Sequence, residues 1–193
     1  ERVIDADHFK RDPRKALLSL EPTPSVNPIA IKAIEQADLV VIAPGDIYTS
    51  LGPLLAIKGI GDALRQTDAV VVYVCNLVTK DGQTNDFTVS DHAGEIERLG
   101  GGDILDIVLY NSQVPSARLL KRYEAENDYL VKIDKKVLDS QHYHAVGGHF
   151  LGQIISYDPK EQIIPVTRSF IRHNPVAVAS ALMTFIEKKK ASS

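Results

Sequence analysis

The amino-acid sequence predicts an α/β fold, built as a doubly wound, mainly parallel sheet with helices on both faces. Apolar runs at residues 39–43 and 69–74 lack the polar alternation of a one-sided strand, which is typical of strands covered on both faces. A third strand is predicted at residues 104–109, and helical segments separate all three. Because crossover connections between such strands are right-handed, neighbouring strands should run parallel.

The first unit begins with a helix that Asn27 caps and Pro28 starts. The first strand follows this helix and ends at Pro44 and Gly45. A polar loop then leads to a helix around Leu64 and to the second strand. This order of elements collects the loops that follow the strands at one edge of the sheet.

The second unit begins at Thr88, where Asp91 three residues later predicts a capping box at the start of a helix. Three glycines at residues 100–102 end that helix and precede the third strand, whereas a phosphate-binding loop needs its glycines before a helix. The sequence therefore contains no recognisable glycine-rich phosphate loop. A further helix, capped near Ser116, follows the third strand.

Regular patterns weaken in residues 128–167, where we predict a small irregular β-containing segment. Its short apolar pairs are Leu130-Val131 and Ile163-Ile164, which we interpret as minor strands. Turns are predicted at Gly147-Gly148 and Asp158-Pro159, because glycine and proline favour turn conformations.

A strong helix closes the chain. Asn174 is its predicted N-cap and Pro175 its first residue, an arrangement that proline favours at helix starts. The apolar stripe that should face the sheet consists of Val178, Ala181, Leu182, Phe185 and Ile186. Lysines at residues 188–190 suit the negative end of the helix dipole, so we interpret them as a solvated helix end.

Composition favours one globular domain over residues 1–193, in a reducing cytoplasm. The chain is 44% hydrophobic with a net charge of −3, and its dispersed Lys and Arg residues provide no basic surface for a nucleic acid. The single cysteine, Cys75, excludes an internal disulfide, and no apolar run approaches the ~18 residues that span a membrane. The chain starts at Glu1 instead of methionine, which suggests that an upstream segment was removed or lies outside this sequence.

The histidines and the cysteine offer two hypotheses that the sequence does not favour. His142, His144 and His149 lie close together, but no second cysteine or clear carboxylate stands at the spacing of a zinc site. Cys75 ends an apolar strand, where a thiol is usually a small buried filler and not a nucleophile. We therefore assign neither a zinc site nor a catalytic cysteine.

Asp86, Asp91 and His92 form a better group for a hard cation or for proton transfer, because they lie near a helix start beside a polar loop. Asp91, however, already has a role in capping that helix. The sequence thus assigns no metal site, and Mg²⁺ stays an open alternative.

Candidate ligand-binding residues follow the ends of the predicted strands, where open α/β sheets bind ligands. Residues 44–50 combine glycine with hydroxyls and main-chain N–H groups that could surround an anionic oxygen. Residues 76–86 are rich in neutral hydrogen-bond donors and acceptors, which can recognise a ribose, a sugar or the edge of a base. The alternative is that each group is only a polar turn. The candidate residues are Gly45, Asp46, Tyr48, Thr49, Ser50, Asn76, Thr79, Thr84, Asn111, Arg172 and His173.

Residues 37–50, ADLVVIAPGDIYTS, are similar to the family of the bacterial gluconeogenesis factor and 2-phospho-L-lactate transferase. The segments that resemble the gluconeogenesis-factor branch are residues 74–77 (VCNL), 82–84 (GQT) and 87–92 (FTVSDH). Residues 50–56 (SLGPLLA) are similar to both branches and lean toward the transferase. Residues 171–174 (IRHN) resemble a family Arg-His-Asp motif near the bound nucleotide. The resemblance implies a Rossmann-like fold and a nucleotide-linked ligand.

For the gluconeogenesis-factor branch, which we favour, the resemblance implies a UDP-sugar ligand and a regulatory role in carbon metabolism and cell-shape control, without an established catalytic activity. Gly45, Thr49 and Ser50 would then approach the diphosphate, while Asn76 and Thr84 would read the sugar or ribose. Arg172 would balance phosphate charge, although an ordinary surface arginine is the competing interpretation. For the transferase branch, the resemblance implies transfer of a phospholactyl group from a GDP-linked carrier to a deazaflavin, with Mg²⁺.

Three departures from the family pattern bear on these implications. Ala43, Asp46 and Asn174 stand where glycine, serine and aspartate are usual, and the Asp46 carboxylate would repel a phosphate unless a cation or water lay between them. The family also opens with a glycine-rich loop, which this sequence lacks. A third hypothesis is therefore an interaction domain that binds no ligand alone, and an uncovered edge strand would favour a homo-oligomer.

Overall fold

In the part of the chain that the structure describes, the sheet has four parallel strands whose spatial order follows the chain. A computed structural model describes residues 12–15, 18–124, 127–152 and 171–192 of the protein. The strands are β1 (Leu39–Ile42), β2 (Val70–Val74), β3 (Ile107–Asn111) and β4 (His144–Gly148), in the order β1-β2-β3-β4. Every neighbouring pair is parallel. The predicted parallel sheet is thus confirmed.

Seven α-helices accompany this sheet in the described ranges. They are α1 (Pro28–Glu35), α2 (Gly52–Leu55), α3 (Ile60–Gln66), α4 (Val89–Gly100), α5 (Ala117–Glu124), α6 (Lys135–Leu138) and α7 (Pro175–Ser192). A π-helical turn, Ile47–Leu51, runs directly into α2. Within the described ranges, none of these helices combines the length and the apolarity needed to cross a bilayer.

The predicted N-caps of α1, α4 and α7 are present. The Thr88 hydroxyl accepts from the Asp91 N–H at 3.2 Å, and the Asp91 carboxylate accepts from the Thr88 N–H at 2.9 Å, which completes the capping box of α4. The Asn174 side chain accepts from two N–H groups in the first turn of α7, at 3.0 and 3.1 Å. Gly101, with φ +82°, ends α4 in the left-handed conformation that glycine favours.

Helices cover both faces of the sheet, as predicted. With the strands in chain order, right-handed crossovers place the connecting helices on one face. On that face, Val71, Tyr73 and Val108 pack in one core with α3 and α4. The opposite face, with Val72 and Leu109, packs against the apolar stripe of α7. The alternation along β2 therefore divides its side chains between two apolar layers.

The predicted turn at Gly147-Gly148 was wrong, because both glycines lie in β4. A Cβ atom on Gly147 would lie 2.8 Å from the Tyr110 ring, and one on Gly148 would lie 2.4 Å from the Phe150 ring. Glycine is therefore used here to make room for two aromatic rings, not to turn the chain. The pairs Ile163-Ile164 and Asp158-Pro159 lie outside the described residues.

Strand β3 starts later than predicted, at Ile107 instead of residue 104. Ile104 and Leu105 are buried, but they belong to a loop whose N–H groups donate to one Glu97 carboxylate oxygen at 3.1 and 3.3 Å. Ile104 and Leu105 are apolar because their loop is buried. The apolar pattern of the sequence therefore could not distinguish them from the residues of the strand. Leu130, predicted in a minor strand, makes a single antiparallel bridge with Val78.

His92 of α4 should make the stability of the fold depend on pH. Its side chain is fully buried, and its Nδ1–H donates to the Thr88 carbonyl at 2.9 Å. Burial lowers the pKa of His92 below its ordinary value, so below about pH 6.5 the unfolded chain takes up a proton that the folded chain does not. The free energy of unfolding should therefore fall as the pH falls through this window, by at most about 1.4 kcal/mol per pH unit for one such group.

Urea unfolding at pH 7 and pH 5 measures this effect in the wild type and in His92→Gln. The variant should show a smaller loss of stability between the two pH values, whatever its stability at pH 7. His144→Gln is the matched control, because His144 is exposed. Equal pH slopes in the wild type and in His92→Gln would contradict the assignment of a buried neutral imidazole.

Candidate functional site

A crevice lies at the carboxyl ends of β2 and β3, the edge at which open parallel sheets bind ligands. Its volume is about 190 Å³. The lining residues are Asn76, Leu77, Val89, Tyr110, Asn111, Ser112, Gln113, Val114, Leu130, Val131 and Ile133. Most of the wall is apolar, and three side-chain amides converge on it. Such a surface suits a flat organic ring whose edge carries hydrogen-bonding groups.

Asn76 joins the crevice to the loop that follows β1. Its Oδ1 accepts from the Gly45 N–H at 3.1 Å, and its Nδ2 donates to the Gly45 carbonyl at 3.0 Å. Both ends of the amide are thus bonded to one residue. Asn76 fixes the position of the Gly45 loop, in addition to lining the crevice.

The Gly45 loop continues into the π-helical turn, where the predicted residues divide between core and surface. The Asp46 carbonyl accepts from the N–H groups of Ser50 and Leu51, at 2.9 and 3.1 Å. Tyr48 is buried in the core with its hydroxyl facing Glu95, and burial raises the pKa of that hydroxyl. Ser50 is exposed and Thr49 is half-buried. Tyr48 therefore anchors the turn to α4, while Ser50 faces solvent.

Thr79 and Thr84 are buried and hydrogen-bonded to the backbone of their own region. The Thr79 hydroxyl accepts from the Tyr129 N–H at 3.0 Å, and the Thr84 hydroxyl accepts from the Lys80 N–H at 2.8 Å. Thr79 lines a separate cavity of about 170 Å³, together with Phe87 and Tyr129. Neither threonine lines the crevice, so they hold the loop between β2 and α4 in shape.

Asn111 ties together the loops that follow β3 and β4. Its Oδ1 accepts from the Phe150 N–H at 3.0 Å, and its Nδ2 donates to the Gln113 carbonyl at 2.7 Å. It also lines the crevice next to Val114, whose side chain is 72% exposed. The site thus gains an apolar rim that the sequence pattern did not single out.

Arg172 and His173 reach the same edge of the sheet through a short antiparallel contact. Leu151 and His173 form an isolated bridge, and the Arg172 carbonyl accepts from the Gly152 N–H at 2.7 Å. The His173 Nε2–H donates to the Cys75 carbonyl at 3.2 Å, directly before Asn76 in the chain. Burial lowers the pKa of His173, which favours this neutral ring. The motif near the start of α7 therefore adjoins the end of β2.

The group Asp86, Asp91 and His92 is not brought together. Asp86 is exposed and pairs with Lys132 at 3.3 Å, whereas Asp91 pairs with Arg14 at 2.8 Å. His92 is fully buried, and its ring bonds to the Thr88 carbonyl. The structure therefore gives no support to a cation held by these three side chains.

Asp134 is a residue of the site region that sequence reasoning missed. Its carboxylate accepts from the Thr88 hydroxyl at 2.9 Å, from the Ser90 N–H at 3.2 Å and from the Ser90 hydroxyl. It thus occupies the positive end of α4, beside the crevice. No local signal marks Asp134, because its partners lie more than forty residues earlier in the chain.

A family model connects this fold with known proteins. The model described as 2-phospho-L-lactate transferase CofD matches residues 1–151. A solved structure of a UPF0052 family protein from Bacillus halodurans aligns with a TM-score of 0.72 and 30% identity, over 85% of this chain and 48% of that one. The predicted family resemblance and the Rossmann-like α/β fold are thus confirmed.

Curated relatives carry the name gluconeogenesis factor. A putative gluconeogenesis factor of Clostridium acetobutylicum is 37% identical over 160 residues, which are 83% of this chain and 33% of that protein. The gluconeogenesis factor of Bacillus subtilis is 29% identical over 161 residues, which are 83% of this chain and 47% of that protein. The chain therefore spans between a third and a half of these relatives. It belongs to the CofD family and is, within that family, gluconeogenesis-factor-like.

Proposed function

We propose that the protein binds a nucleotide-linked sugar of the UDP-sugar type in the crevice and acts as a regulator of carbon metabolism and cell shape. The observation that carries this proposal is the crevice itself, an apolar slot with converging amides beside the Gly45 loop. In this proposal the protein works in the cytoplasm as one domain and catalyses no reaction of its own.

The slot suits one part of the ligand. Its volume of about 190 Å³ is below the roughly 300 Å³ at which whole small-molecule pockets begin. A planar base or a sugar would rest against Leu77 and Val114, with its edge toward Asn111 and Gln113. The rest of the ligand would extend along the open edge of the sheet.

The diphosphate would extend toward the loop that Asn76 holds in place. Gly45 allows close backbone approach there, and the exposed Ser50 hydroxyl offers a donor, whereas the Thr49 hydroxyl is buried and would have to turn outward to reach a ligand. Arg172 is exposed beside this edge and supplies positive charge. The Asp46 carboxylate opposes an anion, so Mg²⁺ or water would have to lie between them.

A thermal-shift titration with UDP-sugars, and with GDP as the competing nucleotide, tests this proposal, each with and without Mg²⁺. A ligand that binds only the folded state stabilises it by about 2.7 kcal/mol at a concentration of 100 Kd. We expect a saturable shift with a UDP-sugar that is reduced in Ser50→Ala and Arg172→Ala, because both side chains are exposed at this edge. Asp62→Asn, on the exposed side of α3, is the control and should behave as the wild type.

Two other outcomes would replace the proposal. A shift only with GDP and Mg²⁺, followed by transfer of a phospholactyl group to a deazaflavin, would favour the transferase for which the family model is named. No shift with any nucleotide, together with a dimer in sedimentation, would favour an interaction domain. In that case the exposed edge of the sheet would be the surface to study.

A further inference from the structure

The geometry points to a second site, a divalent transition-metal site formed by Glu97, Asp103 and His142 at the amino edge of the sheet. One ligand atom from each side chain lies within 4.8 Å of the other two. The group lies at a cavity of about 480 Å³, whose lining includes Asp103 and His142. The crevice lies at the carboxyl ends of β2 and β3, whereas this group lies at the opposite edge of the sheet. The two sites are therefore distinct.

The three side chains come from separate parts of the chain. Glu97 lies in the last turn of α4, Asp103 in the loop before β3, and His142 in the loop before β4. The sequence analysis considered residues 142, 144 and 149 as a histidine site and did not favour it. In the structure His142 instead meets two carboxylates that lie about forty residues earlier.

Two of the three ligands are already oriented. One Glu97 oxygen accepts from the N–H groups of Ile104 and Leu105, at 3.1 and 3.3 Å, and also lies 3.0 Å from His142 Nε2. The His142 ring packs edge-to-face on Tyr143, with centroids 5.2 Å apart. Backbone and aromatic contacts of this kind fix ligand geometry before an ion binds.

Charge also favours a cation here. The Asp103 and Glu97 carboxylates lie within 4.8 Å of each other, so their like charges repel. The nearby Arg65 is bonded to Asp62 at 2.5 Å and to the Gly100 carbonyl at 3.0 Å, and Lys189 also lies on the cavity wall. A divalent ion bound by both carboxylates would compensate their repulsion directly.

One imidazole and two carboxylates form a mixed nitrogen and oxygen ligand set. Such a set suits Zn²⁺, with the remaining coordination positions open to water from the cavity. An ion bound there would join the end of α4 to the loop that leads into β4. We therefore expect it to stabilise the docking of the fourth strand.

Titration of the chelator-treated chain with Zn²⁺ by calorimetry tests the site, with Co²⁺ absorption as a second probe. The wild type should bind one ion saturably and gain thermal stability. Asp103→Asn, His142→Gln and Glu97→Gln should each weaken Zn²⁺ binding by about 10-fold or more. Asp103 is exposed, and a glutamine at position 97 keeps an oxygen for the Ile104 and Leu105 N–H groups, so these variants should fold.

His144→Gln and His149→Gln are the matched controls, because both histidines are exposed and lie outside the group. Their Zn²⁺ affinity should equal that of the wild type. Loss of binding in these controls, or wild-type binding no tighter than that of Asp103→Asn, would overturn the site. Urea unfolding in EDTA separates a folding defect from a binding defect, and none of these results depends on nucleotide binding.

Discussion

Gly61→Ala should lower the free energy of unfolding by about 3 kcal/mol, because it places a methyl group inside a helix–helix contact. Gly61 is buried near the start of α3, and a Cβ atom there would lie 1.8 Å from the Gly100 carbonyl oxygen and 2.9 Å from its carbon. Both are backbone atoms of α4, so no side-chain rotation relieves the overlap. Helices α3 and α4 would have to separate.

Separation of these helices would remove further contacts. Arg65 donates to the same Gly100 carbonyl at 3.0 Å, and Leu64 and Ile96 pack in the core that both helices share. Urea or thermal unfolding measures the loss. For a domain of this size, about 3 kcal/mol corresponds to a fall in Tm of roughly 6–12 °C.

Gly94→Ala is the matched control, since Gly94 lies in the middle of α4 with nothing within 4 Å of a new Cβ atom. Alanine is about 1 kcal/mol more favourable than glycine inside a helix, so this variant should be slightly more stable than the wild type. Replacing glycine by alanine should thus lower the free energy of unfolding at position 61 and raise it at position 94. Equal changes in stability in the two variants would contradict the close approach of α3 and α4.

The elements that could be predicted from sequence are those whose signals are local. The caps of α4 and α7 depend on Thr88 with Asp91 and on Asn174 with Pro175, which lie within a few residues of each other. Strands β1, β2 and β3 carry their own apolar runs, whereas β4 does not. Each signal therefore remained readable without knowledge of the rest of the chain.

The features that could not be predicted depend on distant partners. Gly147 is required by the ring of Tyr110, which lies on the neighbouring strand, so its local pattern suggested a turn. Strand order predicted that Gly45 and Asn76 would lie at one edge, but their paired hydrogen bonds depend on a side-chain rotamer. His142 meets Glu97 only because β4 joins the sheet beside β3.

Asn76→Asp is expected to be the most informative change in the crevice, because it replaces one of the two side-chain atoms whose hydrogen bonds hold the Gly45 loop. The amide nitrogen that donates to the Gly45 carbonyl at 3.0 Å becomes a carboxylate oxygen, whereas the acceptor for the Gly45 N–H stays. Two acceptors then face each other, which should cost about 1–3 kcal/mol of stability. Affinity for any nucleotide bound at this loop should fall as well.

The pH dependence identifies the cause of this cost. The new carboxyl group is harder to ionise beside the Gly45 carbonyl than in the unfolded chain, so the folded state holds its proton to higher pH. The stability deficit relative to the wild type should therefore be smallest at about pH 3, where a protonated carboxyl can donate to the carbonyl. It should grow as the pH rises to about 7. Urea unfolding of both proteins at each pH measures the difference.

Asn127→Asp is the control for this experiment, because Asn127 is exposed and its φ of +58° is tolerated by both residues. It adds the same charge without facing a carbonyl, and its stability should stay within about 0.5 kcal/mol of the wild type. An equal deficit in the two variants would mean that Asn76 does not hold the loop. A deficit in Asn76→Asp that disappears at low pH, with unchanged stability in the control, would show that this amide sets the geometry of the edge at which the crevice opens.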